Sequence, residues 1–232
     1  SSTSRGLGDV YKRQGETGTT GTTGTTGTTG YTGTTGATGP RGANGSSGGL
    51  TFYMNYSNSL SPNTVPLTAS QLNGIISGQT FTAPTSITYT PTQNTNVSQL
   101  GLSPDLTLAQ TMLTFVTPNS NTTDIPIAQF AINIADINAT APTILPPGIF
   151  EMNIYAKADS INDKDNIGLR FYLLGKSNGT YTNLVANGSD LVYLYDNLSS
   201  QLLPLNMYIQ NPITISSYTS LHVVITSRNL NN

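Results

Sequence analysis

From Leu50 to the end, the chain alternates between short apolar runs and polar breaks, and the period is two residues. The clearest run is Phe150–Lys157, where Phe150, Met152, Ile154 and Ala156 share one face. Ile167, Leu169, Phe171 and Leu173 repeat the pattern, with Gly168, Arg170, Tyr172 and Leu174 on the other face. These two runs are expected to be adjacent antiparallel strands whose inward faces meet in a core. The same reading predicts strands at Ala128–Ile134, Leu191–Tyr195, Leu205–Ile209 and Leu221–Thr226, and shorter ones at Thr51–Tyr56, Leu108–Val116 and Tyr181–Ala186. Turn signals separate them at Pro146-Pro147-Gly148, Ser177-Asn178-Gly179 and Asn187-Gly188-Ser189. No segment sustains a helical period, although Leu100–Met112 has room for one short turn. Many short strands with such punctuation predict an all-β sandwich, of jelly-roll form.

Ahead of Leu50 the alternation disappears and a different period replaces it. Glycine occupies every third position without a miss: Gly15, Gly18, Gly21, Gly24, Gly27, Gly30, Gly33, Gly36, Gly39, Gly42, Gly45 and Gly48. A period of three is the signature of the collagen triple helix, whose crowded axis has room for no side chain. The Y position of the Gly-X-Y triplets is Thr17, Thr20, Thr23, Thr26, Thr29, Thr32, Thr35 and Thr38, then Arg41, Asn44 and Ser47. Proline appears once, as Pro40, so little of the polyproline-II conformation is prepaid. Two supports are expected: O-glycosylation of the eight threonines, and a trimeric head that raises the local concentration of the chains. A flexible Gly/Thr linker is the alternative, but a linker has no reason to keep the period through Gly-Pro-Arg, Gly-Ala-Asn and Gly-Ser-Ser. At about 3.1 Å per residue, the repeat spans on the order of 100 Å. A Gly-Thr-Thr repeat pairs equally well after a three-residue slip, so the head must fix the stagger.

The reading therefore divides the chain into a collagen-like stalk over 15–48 and a head over 49–232. The first residues, Ser1–Gln14, share no composition with either and resemble translated adaptor sequence; they are read as a non-native leader. Any signal or anchoring segment would then lie outside the sequence given.

Composition narrows the function classes. Only 9% of residues are charged, against about 25% in an average soluble protein, and Gly49–Pro104 carries no charge. With a net charge of −2, nothing points to nucleic acid or anionic lipid as a partner. No apolar run has the ~20 residues of a membrane helix, so no membrane insertion is expected. The absence of cysteine removes disulfides, thiolate nucleophiles and sulfur-ligated metal together.

Residues 146–156, Pro-Pro-Gly-Ile-Phe-Glu-Met-Asn-Ile-Tyr-Ala, are followed after a polar loop by Ile-Gly-Leu-Arg-Phe-Tyr-Leu at 167–173. This pair resembles the central hairpin of heads of the complement and tumour-necrosis-factor type. A closer likeness is to the β-rich heads of collagen-like proteins from giant DNA viruses, tailed phages and spore-forming bacteria. It rests on the opening strand Thr51–Tyr56 after the glycine repeat, then Ile-Leu-Pro-Pro-Gly-Ile-Phe, Thr-Asn-Leu-Val-Ala and Leu-Asn-Met-Tyr-Ile in that order. The resemblance implies a homotrimeric, non-enzymatic fibre protein displayed on a virion, phage or spore, or otherwise extracellular. Its alternative is an adhesin whose trimeric head binds a host-surface glycan or receptor. Such heads usually add a strand after the one equivalent to Leu221–Thr226, so the head is expected to lack a last strand and to expose an edge.

Catalytic chemistry finds little footing, and neither cofactor nor metal is expected. The one histidine, His222, lies in an alternating strand and is expected to face solvent or a neighbouring subunit. A carboxylate pair for glycoside chemistry is sought among Glu151, Asp136, Asp159, Asp163, Asp165, Asp190 and Asp196. The loop Asp159–Asn166 has oxygen ligands for Ca²⁺ but lacks EF-hand spacing and carries Lys164, so a solvated hairpin loop is the expectation. Sequons at Asn44, Asn55, Asn96, Asn121, Asn138, Asn178, Asn187 and Asn197 follow from abundant Asn, Ser and Thr. Tyrosine exceeds phenylalanine twelve to six, which suits subunit interfaces and carbohydrate contacts equally.

Overall fold

The computed structural model describes residues 21, 22, 24, 51–60, 64–90, 96–107, 112–116, 120–137, 144–158, 166–195 and 199–230. The chain divides into two compact units, Ser1–Ser46 and Ser47–Asn232. In the first, Gly21, Thr22 and Gly24 are exposed and belong to neither helix nor strand. The other repeat glycines and all eight Y-position threonines lie outside the described residues, as does the loop 159–165.

The second unit is mostly β. Its main sheet runs in the order β1 (Tyr53–Ser59), β4 (Ser98–Gly101), β6 (Ser120–Asn133), β14 (Ser220–Asn229), β9 (Ile167–Ser177) and β10 (Thr180–Asn183). β2 (Thr80–Phe81) also pairs with β6, and β11 (Val192–Tyr193) with β9. β14 lies at the centre: Val223 pairs with Phe130 on one side and Leu173 on the other. The last strand of the chain is therefore hydrogen-bonded on both sides and is not an exposed edge.

A second layer is the two-stranded ladder β8 (Gly148–Ala156) and β12 (Gln201–Ile209), in register from Gly148↔Ile209 to Ala156↔Gln201. β3 (Ser86–Thr90) pairs with β5 (Met112–Val116), and β7 (Ile144–Leu145) with β13 (Ile213–Thr214). Leu203, Leu205, Met207 and Ile209 of β12 join Leu169, Phe171 and Leu173 of β9 and Leu221, Val223 and Ile225 of β14 in one buried core. Phe150, Met152, Ile154 and Ala156 pack against it, so the inward face read from alternation in β8 is the observed one. The pairing is different from that expected, however. β8 and β9 are not neighbours in one sheet; they lie in separate sheets and both contribute to this core.

β6 extends well ahead of the predicted strand, and a register shift opposite Ile225/Thr226 interrupts it. Before the shift Ile125 and Ile127 enter the core; after it Phe130 and Ile132 do. An odd-numbered inward face becomes an even-numbered one, which is what an extra residue in a bulge does to a period of two. Alternation thus fails where the strand is longest.

Helices occur where none was expected. α1 (Ala69–Ile75) is capped by Thr68, whose hydroxyl accepts from Gln71 N at 3.3 Å while Gln71 Oε1 accepts from Thr68 N at 2.9 Å. This reciprocal box is written in the sequence as Thr-x-x-Gln. The short α2 spans Ile134–Ile137. Within Leu100–Met112, the span with room for a helical turn, Leu100 and Gly101 close strand β4 and Met112 opens β5.

Candidate functional site

α1 and its flanks cover the main sheet on the side away from the core. Leu67, Leu72, Ile76 and Phe81 pack there on Tyr172, Leu174 and Val224. Leu72 and Ile76, four residues apart, are both fully buried, which sets the apolar stripe of the helix against the sheet. The segment 64–82 is therefore a cover, and polar side chains projecting from the sheet meet it in two clusters.

The first cluster centres on Asp124, at 0% exposure. Arg228 approaches Oδ1 through Nε and Nη2, both at 2.8 Å. Arg170 Nη2 donates to Oδ1 at 3.2 Å, while its Nε stands 2.8 Å from Oδ2 as an ion-pair contact without hydrogen-bond alignment. Tyr172 donates its hydroxyl to Oδ2 at 2.5 Å. Burial, and then the charge and hydrogen bond of Asp124, raise the pKa of Tyr172 far above its ordinary value, so it remains a donor. Both arginines also donate to Gln79 Oε1 of the cover, at 3.4 and 3.2 Å. The cover adds a parallel pairing, Phe81↔Asp124, and Thr82 N donates to Asp124 O at 3.0 Å. One carboxylate thus gathers β6, β9 and β14, and the arginines on it hold the cover.

The second cluster corrects the expectation for His222, which is wholly buried inside a single chain. Gln129 Oε1 accepts from Leu67 N at 2.8 Å, so its amide NH₂ is the group that faces His222 Nδ1 at 3.0 Å. Nδ1 is then the acceptor, and the proton sits on Nε2, which donates to Ser220 Oγ at 2.9 Å. Burial first, and the Lys176 charge second, lower the pKa of His222 to about 3. A serine beside a histidine invites comparison with nucleophile and base. Here an imidazole of such low basicity gains nothing by taking the serine proton, and Ser220 is only 3% exposed. The chemistry suits a neutral hydrogen-bonded clasp between sheet and cover.

Comparison with protein-family models, with characterised proteins and with solved structures found no match.

The carboxylates singled out by sequence do not converge among the described residues. Glu151 is exposed on β8 and accepts from Asn153 Nδ2 at 2.8 Å. Asp136 is exposed on α2 and accepts from Asn133 Nδ2 at 2.9 Å, and Asp190 is exposed in a loop. Asp159, Asp163, Asp165 and Asp196 lie outside the described residues. No group of three or more His, Asp or Glu suited to a metal ion occurs among the described residues. The carboxylate that matters, Asp124, was outside the set read from sequence, because its arginine partners lie 46 and 104 residues away.

A third feature is on the other side of the molecule. The outward face of the β8–β12 ladder exposes Ile149 (72%), Tyr155 (68%), Tyr208 (65%) and Leu202 (43%). Register places Ile149 opposite Tyr208 and Tyr155 opposite Leu202. No helix among the described residues is long and apolar enough to cross a membrane.

Proposed function

We propose that this chain is a collagen-like structural fibre protein, in which residues 15–48 of three copies wind into a stalk that displays a trimeric jelly-roll head at a particle or cell surface. The observation that carries the reading is the unbroken glycine period, together with what surrounds two of its members. A Cβ built at Gly21 or Gly24 of the single chain would meet nothing within 4 Å, and neither residue has a positive φ. Among the described residues nothing calls for glycine there. A triple-helical axis does, since its crowding comes from the other two chains. The β-rich head supports the same reading, as a folded unit able to set the stagger that the Gly-Thr-Thr repeat leaves open.

The test uses Gly27→Asp and Thr26→Asp in the full chain. Gly27→Asp is expected to abolish the cooperative melting of the triple-helix circular-dichroism band or to lower its midpoint far more than Thr26→Asp, whose side chain points to water. Equal midpoints would contradict the stalk. Exposed Tyr155, Tyr195 and Tyr208 favour a second reading, an adhesin that binds a glycan or receptor with the avidity of three heads. Binding on a glycan array that disappears with the head would select it.

A further inference from the structure

We propose that the outward face of the β8–β12 ladder is where one copy of this chain packs against the next, an inference that rests on the three-chain stalk. Among the described residues, Ile149↔Tyr208 and Tyr155↔Leu202 are the cross-strand pairs in which both partners are large, apolar and exposed. They sit at the two ends of one face, and between them Glu151 is the one charged residue, held by Asn153. The ladder pairs with no further strand on either edge among the described residues, although on the β12 edge Asn206 O accepts from Asp190 N at 2.8 Å. Two exposed pairs of large apolar side chains at the ends of one ladder face, with polar residues between them, suit a contact surface better than open water. On the opposite side of the head, residues of the chain's own segment 64–82 pack on Tyr172, Leu174 and Val224.

The occupant follows from the chain itself. Gly48 ends the repeat and Tyr53 begins the first strand, so the intervening residues 49–52 span at most about 3.6 Å each. A stalk of three chains would keep two other heads within that reach, at an effective concentration in the millimolar range or above. The partner always present is a second copy. A cyclic assembly buries the same patch of every copy, and a contact that forms in one way selects one stagger of the repeat.

Tyrosine nitration of the full chain, mapped by mass spectrometry and run beside sedimentation velocity, tests this directly. The expected result is a trimer in which Tyr155 and Tyr208 react several-fold more slowly than N-acetyltyrosine amide in the same tube. Tyr155→Asp with Tyr208→Asp is expected to raise the concentration at which the trimer dissociates by about tenfold or more, with near-ultraviolet circular dichroism of the head unchanged. A trimer whose Tyr155 and Tyr208 react as fast as the free amide overturns the inference and leaves the stalk standing, with the face open to a saccharide or another protein. A monomer at every concentration overturns the stalk and the inference together.

Discussion

β8 and β9 follow one another in the chain, yet they bury themselves in opposite ways. Along β8 burial alternates residue by residue, with one face against the core and one face in water. Along β9 every residue from Gly168 to Gly175 is buried. The inward faces are alike, built from aliphatic and aromatic side chains that meet in one core. The difference lies in the second face. On β9 it holds Arg170, Tyr172 and Leu174 beneath a cover from the same chain; on β8 it holds Ile149, Glu151, Asn153 and Tyr155 in the open. Apolar residues thus stand exposed where polar ones would suit, and charged residues lie buried where apolar ones would suit. The inversion is tolerable on the covered side because each buried charge is paired. On the open side it is what the proposed contact between copies would cover.

The sharpest way to break this comparison is to remove a charge from each side. Asp124→Ala strands two arginines and a tyrosine hydroxyl under the cover, and breaking a buried pair in this manner costs about 3–5 kcal/mol. Glu151→Ala removes an exposed carboxylate and is expected to stay within about 0.5 kcal/mol of the parent. Urea unfolding of the two variants measures both. Equal midpoints would mean that the Asp124 cluster contributes nothing to the covered face.

A matched pair on β12 sharpens the contrast between the faces of the ladder. Leu203 is 1% exposed and Leu202 43%, though they are consecutive. Leu203→Ala is expected to cost about 2–5 kcal/mol by leaving a cavity in the core. Leu202→Ala should cost under about 1 kcal/mol in a dissociated head. If Leu202→Ala proved as damaging at high protein concentration and mild at low, the loss would belong to contacts between copies.

Acid should act on the covered side through His222. Its pKa is lowered to about 3 in the folded chain, against 6.5 for an ordinary histidine. Between these values the unfolded chain binds the extra proton, so the contribution is whole above pH 6.5 and declines as pH falls toward 3. The slope for one such proton is about 1.4 kcal/mol per pH unit. His222→Gln should begin less stable but lose stability less steeply from pH 6 to pH 4, by about that amount per unit. Parallel slopes in denaturation curves would show that His222 takes no part in acid sensitivity.

What could be read from sequence separates along the same line. The inward phases of β8 and β9 were legible, because alternation is local and one face of each strand is uniformly apolar. The tight turn after β9 was legible too: Asn178 and Gly179 both take positive φ, as a two-residue hairpin demands. Gly188 was marked as a turn, and its constraint is stricter than a turn, since a Cβ there would sit 2.7 Å from Phe171 O. The cover was not legible. Alternation puts Arg170 and Tyr172 on the face away from the core but does not say what covers them, and His222 was expected to face solvent or a neighbouring subunit; their partners come from distant parts of the chain, and no local pattern reports a pairing of that kind. β6 concealed its first half behind the register shift. Asp124 follows Asn121, Thr122 and Thr123, a polar stretch that resembles a loop. The one signal left unread was Thr68-x-x-Gln71 ahead of Leu72 and Ile76.

That box gives the smallest and most local test of the cover. α1 has seven residues, with no acidic side chain in its first turn and no basic one in its last, so nothing else offsets its terminal charges. Thr68→Ala removes the acceptor for Gln71 N and should cost about 1 kcal/mol, whereas Thr68→Ser keeps it. The loss should be felt first in the cover, since Leu72 N donates to Thr68 O at 3.0 Å and Ile76 N to Leu72 O at 2.9 Å. Hydrogen exchange at those two amides should quicken by about fivefold in Thr68→Ala, the factor that 1 kcal/mol supplies. Amides of β12, on the far side of the core, should be unchanged. If β12 quickened equally, the cover would not open by itself, and α1 would belong to the same cooperative unit as the ladder.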